Sequence, residues 1–124
     1  MKQLLIIAVF LALSTGTAVA QEKNWTKEMT LTGEVVDVAC YLGVGAKGPG
    51  HIKCATACAK AGGALGILTA DGKLYVSLLP DRHRENPNAM LMDYIGKDVE
   101  AKGTVHVKSG VNGIMIKSVT AATM

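Results

Sequence analysis

Met29-Thr30-Leu31-Thr32-Gly33-Glu34-Val35-Val36-Asp37-Val38-Ala39 changes phase in its middle. Met29, Leu31, Gly33 and Val35 alternate with Thr30, Thr32 and Glu34, the period of two that a half-buried strand requires. Beyond Val35 the apolar positions move to Val36 and Val38. A one-residue slip of this kind predicts a bulge, and Gly33 permits a sharp bend beside it. A strand bent in this way can serve two sheets at once. Cys40 continues the second phase, on the face of Val36 and Val38. Residues 21–27 read as a short polar leader ahead of the strand.

Downstream, residues 43–50 hold four glycines and a proline and read as a loop. Residues 51–61, rich in alanine and lysine and free of glycine, predict a short helix closed by Gly62-Gly63. Residues 65–69 and 73–79 predict two strands joined by the hairpin signal Ala70-Asp71-Gly72, with Pro80 ending the second. Residues 81–86 read as a charged loop. Residues 87–94 predict a short helix with Asn86 as cap and Pro87 in its first turn, closed by Gly96. Val99, Ala101, Gly103, Val105 and Val107 alternate with Glu100, Lys102, Thr104, His106 and Lys108, the clearest strand of the chain. Ser109-Gly110-Val111-Asn112-Gly113 turns it into a last strand over 114–119. The fold class is therefore mainly β: a five-stranded, OB-fold-like Greek-key barrel. It has a short helical Cys/His insert after strand 1 and a helix between strands 3 and 4. Closure suits so short a chain, because it removes exposed sheet edges.

The segments Thr32-Gly33-Glu34-Val35-Val36-Asp37, Asp71-Gly72-Lys73-Leu74-Tyr75 and Ile95-Gly96-Lys97-Asp98-Val99 resemble the strand openings of small bacterial periplasmic OB-fold proteins. A second group of residues runs Ala39-Cys40-Tyr41-Leu42, His51-Ile52-Lys53-Cys54-Ala55, Cys58-Ala59 and then Gly62 to Gly66. It resembles the Cys-Tyr-Leu…His-x-x-Cys-x-x-x-Cys insert of a subgroup of exported OB-fold proteins. The resemblance spans most of residues 30–120. It implies the fold and the compartment and brings no activity with it. One periplasmic OB-fold group carries copper(I) on methionine, histidine and tryptophan of its barrel strands, but this chain lacks that spacing.

Residues 1–20 read as a secretory signal peptide. Lys2 supplies the positive start, residues 4–13 are an apolar run, and Ala18-Val19-Ala20 is a small-x-small cleavage site. The run is too short to span a bilayer, which takes about 20 residues. No cysteine follows the cleavage site to take a lipid, so no membrane anchor is expected after cleavage, and the expected location is periplasmic or secreted. Residues 21–124 are then one OB-fold-like domain with one modest core. Removing Lys2 leaves twelve basic against ten acidic residues, a charge near +2 and too weak to argue for nucleic acid or an anionic membrane. Trp25, Tyr41, Tyr75 and Tyr94 are too few for a base-stacking platform. Asn24-Trp25-Thr26 fits a glycosylation sequon, which matters only in a host with that machinery.

All three cysteines lie within residues 40–58, together with one of the three histidines. His51, Cys54 and Cys58 are spaced three and four apart, so one helix face presents all of them. Cys40 ends the preceding strand, and the glycine-rich loop is flexible enough to bring it over that helix. The four make a Cys3His set, a composition that suits tetrahedral zinc, and their thiolates also suit copper(I). The expected ligands are therefore Cys40, His51, Cys54 and Cys58, with a metal ion, zinc or copper(I), as cofactor and partner.

The alternative is a non-metal periplasmic binding or stress module, whose cysteines form one structural disulfide. Cys40 would pair with Cys54 or Cys58 and leave one thiol over. Its partner would be an envelope protein or peptide on the barrel surface. Haem attachment requires Cys-x-x-Cys-His and a thioredoxin-like pair requires Cys-x-x-Cys, and neither is present. No phosphate-loop motif, paired carboxylates or nucleophile-base set appears, so no enzymatic activity is expected. His83 between two arginines and His106 on a polar strand face read as surface residues. Met90, Met92 and Met115 read as core filler ahead of copper ligands. Asp37 interrupts an apolar stretch just before Cys40, either to orient a ligand or to face solvent.

Overall fold

The first strand runs from Trp25 to Asp37 and pairs with two different neighbours along its length. In the computed structural model of the chain, which describes residues 24–79 and 85–123, four more strands complete the sheet. They are β2 (Leu65–Thr69), β3 (Leu74–Leu78), β4 (Asp98–Lys108) and β5 (Val111–Ala121), with the first strand as β1. They close into a barrel in the order β1-β2-β3-β5-β4, every pair antiparallel except β3 with β5. Helices α1 (Val38–Val44) and α2 (Ile52–Lys60) follow β1. The mainly β, OB-fold-like barrel expected from the sequence is the fold observed. Among the described residues no helix is long and apolar enough to cross a membrane.

β1 pairs with β4 from Trp25↔Val107 to Glu34↔Asp98, and with β2 from Gly33↔Thr69 to Asp37↔Leu65. Gly33 and Glu34 belong to both ladders. At Gly33 the backbones approach so closely that a Cβ would run into the Leu68 carbonyl oxygen, so glycine is required there by space. The alternating apolar residues of the sequence point inward. Leu31, Val35, Ile67, Val99, Val105 and Ile114 are all buried in one core. Each buried aliphatic side chain of this kind contributes about 1.5–3 kcal/mol.

Several boundaries differ from the sequence reading. β1 begins at Trp25, so residues 25–27 of the expected polar leader over 21–27 are strand. The bulge expected in β1 is not there. Its register is continuous against both partners, and the shift lies in the β4–β5 ladder between Lys102 and Gly103. The apparent phase slip has another cause: Val35 and Val36 are both buried, so both sides of the strand are apolar there. The strand stops at Asp37 and the chain turns helical at Val38, so Val38 and Cys40 do not extend the strand. The expected helix over 87–94 contracts to turns and a 3-10 helix, Met92–Tyr94. Its N-cap is Leu91, without a side-chain hydrogen bond, so Asn86 is not the cap expected; the Asn86 side-chain oxygen instead accepts from the Asn88 N–H at 2.9 Å, in the turns ahead of that helix. β5 starts at Val111, three residues earlier than expected. The leader over 1–20, residues 21–23 and the loop holding His83 lie outside the described residues.

Two substitutions test this architecture. Val105→Asp places an uncompensated charge at a fully buried position and should cost at least about 4 kcal/mol in chemical denaturation, enough to unfold most of the protein. His106→Thr, one residue along on the opposite face, should stay within about 1 kcal/mol of the wild type. Equal losses would mean that the strand faces are assigned the wrong way round. Gly33→Ala should cost roughly 3 kcal/mol, because the Leu68 backbone has no room to retreat.

Candidate metal centre

Asp37 is the last residue of β1, in phase with the inward-facing Leu31, Gly33 and Val35, and it is 1% exposed. Its backbone is extended (φ −73°, ψ 122°), and its Oδ1 accepts the Cys40 N–H at 2.7 Å. That is an N-cap: the carboxylate satisfies one of the free amides in the first turn of α1. The cap fixes Cys40 in that turn, directly above the barrel end. α1 then stops at Gly45, which adopts the left-handed conformation (φ 70°) and donates its N–H to the Tyr41 carbonyl at 2.8 Å.

The loop that follows is anchored to the barrel, because the Gly48 N–H donates to the Glu34 carboxylate. A 3-10 turn, Pro49–His51, leads into α2, so His51 sits just ahead of the helix instead of within it. α2 buries Ala55 and Ala59 in the barrel core. His51, Cys54 and Cys58 lie along the row beside those alanines, at the rim of the buried face. His51 and Cys58 are half-buried and Cys54 is exposed. The chain reverses after α2, with the Gly63 N–H donating to the Cys58 carbonyl at 2.8 Å. It returns alongside the start of α1, where the Val38 N–H donates to Ala64 O at 3.0 Å. Asn88 clamps this return. Buried between β2 and the turn, it accepts the Leu65 N–H at 3.0 Å and donates from Nδ2 to Gly63 O at 2.7 Å.

These connections bring five side chains together as two donor sets that share Cys40. The donor atoms of Cys40, His51 and Cys54 lie within 4.8 Å of one another, and so do those of Asp37, Cys40 and Cys58. Cys40 belongs to both sets. Sulfurs bound to tetrahedral zinc at about 2.3 Å stand about 3.8 Å apart, so rotamer adjustments of an ångström or less would close either set on an ion. The residues are therefore placed where they could hold a metal. Burial grades across the site, from Asp37 at the bottom, through Cys40, His51 and Cys58, to Cys54 at the mouth. Two donor atoms here, Asp37 Oδ2 and His51 Nε2, are buried without a hydrogen-bond partner. A third such atom, His106 Nε2, lies toward the other end of β1, where the ring's Nδ1 is 3.1 Å from Thr26 Oγ1.

The electrostatics favour protonated thiols at Cys40 and Cys58. The Cys40 thiol is pushed up to about 12, first by its hydrogen bonding toward the Asp37 carboxylate and then by burial and the carboxylate's charge. Cys58 is raised by burial, then by Cys54 and Asp37. Nucleophilic and redox-active cysteines need the opposite shift. All three thiols are unpaired.

The four residues singled out in the sequence do converge, though not as expected. Cys40 is carried by the first turn of α1, not by a strand swung over on a flexible loop. Within the 4.8 Å spread Cys58 groups with Asp37 and Cys40, and Cys54 with His51 and Cys40. Asp37 and Asn88 were not assigned to the site from sequence. The available signal for Asp37 was a lone carboxylate in the inward phase of an apolar strand end. Asn88 had none, since its partners are 23 and 25 residues away. Of the methionines, Met92 packs against the core and Met90 is exposed. Comparison with protein-family models, with curated proteins and with solved structures finds no match for this chain.

Proposed function

We propose that this is an exported, non-enzymatic metal-binding protein, which holds a soft or borderline ion, zinc or copper, through Cys40, His51, Cys54 and Cys58. The observation that carries the reading is the pair of overlapping donor sets that share Cys40. Imidazole and thiolate are the ligands such ions prefer. The His51 ring nitrogen left without a partner is what a ligand position looks like before it is filled. The raised thiols argue against cysteine catalysis and disulfide exchange. Export rests on the leader over residues 1–20, and in that compartment the ion would also guard the thiols against oxidation. The role is metal handling, or a structural ion that ties α1 and α2 to the barrel end.

Native intact mass and thiol counting on protein purified under reducing, chelator-free conditions test this directly. Bound zinc or copper with three protected thiols is expected. One free thiol and a mass lower by two hydrogens would establish the disulfide instead. Cys58→Ser should weaken binding by roughly 100-fold or more, since the loss of a direct ligand exceeds the 10–100-fold effect of removing an outer-shell partner. Binding that survives Cys54→Ser combined with Cys58→Ser would place the metal elsewhere.

The pH dependence has a defined sign. Cys40 and Cys58 hold their protons at neutral pH because both thiols are raised. An ion must displace those protons, so affinity rises with pH and falls on acidification. If both thiols are displaced, the apparent affinity should change by about 100-fold per pH unit between pH 6 and 8, tenfold for each proton released. A flat profile in a competition titration would exclude the two thiols as ligands.

A further inference from the structure

Asp37 carries more than its structural job explains. Capping α1 uses only Oδ1, and asparagine or serine caps a helix as well as aspartate does. A charged carboxylate almost completely out of water is costly unless its second oxygen is also engaged. Here Oδ2 has no hydrogen-bond partner. The ion pairs among the described residues, Lys73–Asp71 and Lys117–Glu28, do not include it. Behind it the wall is plain backbone, since a Cβ added at Gly63 would come within 3.3 Å of Oδ2. On the open side lie the sulfurs of Cys40 and Cys58, within 4.8 Å of the carboxylate. Beside the carboxylate stand the thiols of Cys40 and Cys58, weak S–H donors that leave Oδ2 without a full-strength hydrogen-bond partner.

We propose that Asp37 Oδ2 is itself a metal ligand. With Cys40 and Cys58 it forms the buried half of the site, and it selects a divalent borderline ion of the zinc class over copper(I). The inference rests on the metal-binding reading above and adds a donor and a selectivity to it. A carboxylate oxygen is a hard donor that zinc accepts at about 2.0–2.2 Å, whereas copper(I) favours sulfur. An ion here would satisfy the oxygen, draw the protons off both thiols and offset the negative charge the three groups would then carry. His51 and Cys54, nearer the mouth, complete the coordination sphere or provide the entry path. A buried carboxylate oxygen without a hydrogen-bond partner is the kind of local cost that a binding site retains for its ligand.

Asp37→Asn separates the roles, because asparagine keeps the shape and the cap but loses the charge and the anionic donor. The full-length exported protein would be titrated with Zn2+ against a chromophoric chelator, and with copper(I) against a copper(I)-specific competitor. Thermal melts of the metal-free forms would run alongside. The expected result is a fall in zinc affinity of at least about tenfold and a copper(I) affinity within about threefold of the wild type. The metal-free variant should melt no lower than the wild type, because removing a buried carboxylate without a full hydrogen-bond complement relieves a desolvation cost. Unchanged zinc affinity overturns the proposal while leaving the metal-binding reading intact. A parallel loss of zinc and copper(I), or a lowered melting temperature of the metal-free variant, assigns Asp37 a purely structural role and also overturns it. If the wild type binds neither ion, the metal-binding reading itself fails and this inference with it.

Discussion

Gly33 and Glu34 are paired with β2 on one side and β4 on the other, and the remaining architecture follows from that shared stretch of β1. It is where the sheet closes, and closure leaves the barrel without a free edge. The lack of a side chain at Gly33 lets the Leu68 carbonyl approach. Glu34 then accepts from the Gly48 amide and so anchors the loop between the two helices. Three residues further on, Asp37 ends the strand and caps α1. One continuous piece of backbone thus closes the barrel, fixes the loop and starts the helix that carries Cys40.

The site belongs to the barrel end and not to the helices alone. α1 is two turns long and α2 little more, and helices that short have marginal stability by themselves. They are held by contacts at both ends: the Asp37 cap, the buried Ala55 and Ala59, the Val38–Ala64 hydrogen bond and the Asn88 clamp. A metal bound across Cys40 and the donors of α2 would add a direct link between the two helices. Binding an ion there would therefore also stiffen the insert, and a handling role and a structural role would use the same geometry.

The chemistry of the donor residues is consistent with such an arrangement. Burial, the neighbouring Asp37 carboxylate and the other thiols disfavour ionisation of Cys40 and Cys58, so these two thiols stay protonated and unreactive. Only a cation, or another group that brings positive charge, reverses that balance. Donors that repel one another when ionised would be stable either protonated or bound to a cation, and pH would then govern the exchange between the two.

Local periodicity was enough to find the strands. The alternation from Val99 to Lys108 and the hairpin at Asp71-Gly72 each depend on residues a few positions apart. The order of elements was enough for an OB-fold-like barrel. The ligand types were equally visible, because Cys40, His51, Cys54 and Cys58 fall in nineteen residues. What the sequence could not decide was which residues share a burial environment. The run at Val35-Val36 looked like a register slip because strand periodicity assumes one wet face, and in the closed barrel both sides are buried there. The same blindness left Asp37 ambiguous between ligand and surface. Its inward direction depends on the phase of β1, its burial on the helices that follow, and its distance from Cys58 on the pairing of Asp37 with Leu65. Residue type and spacing are properties of the chain, whereas the meeting of donors from β1, α1 and α2 is a product of barrel closure, and only the tertiary structure could supply it.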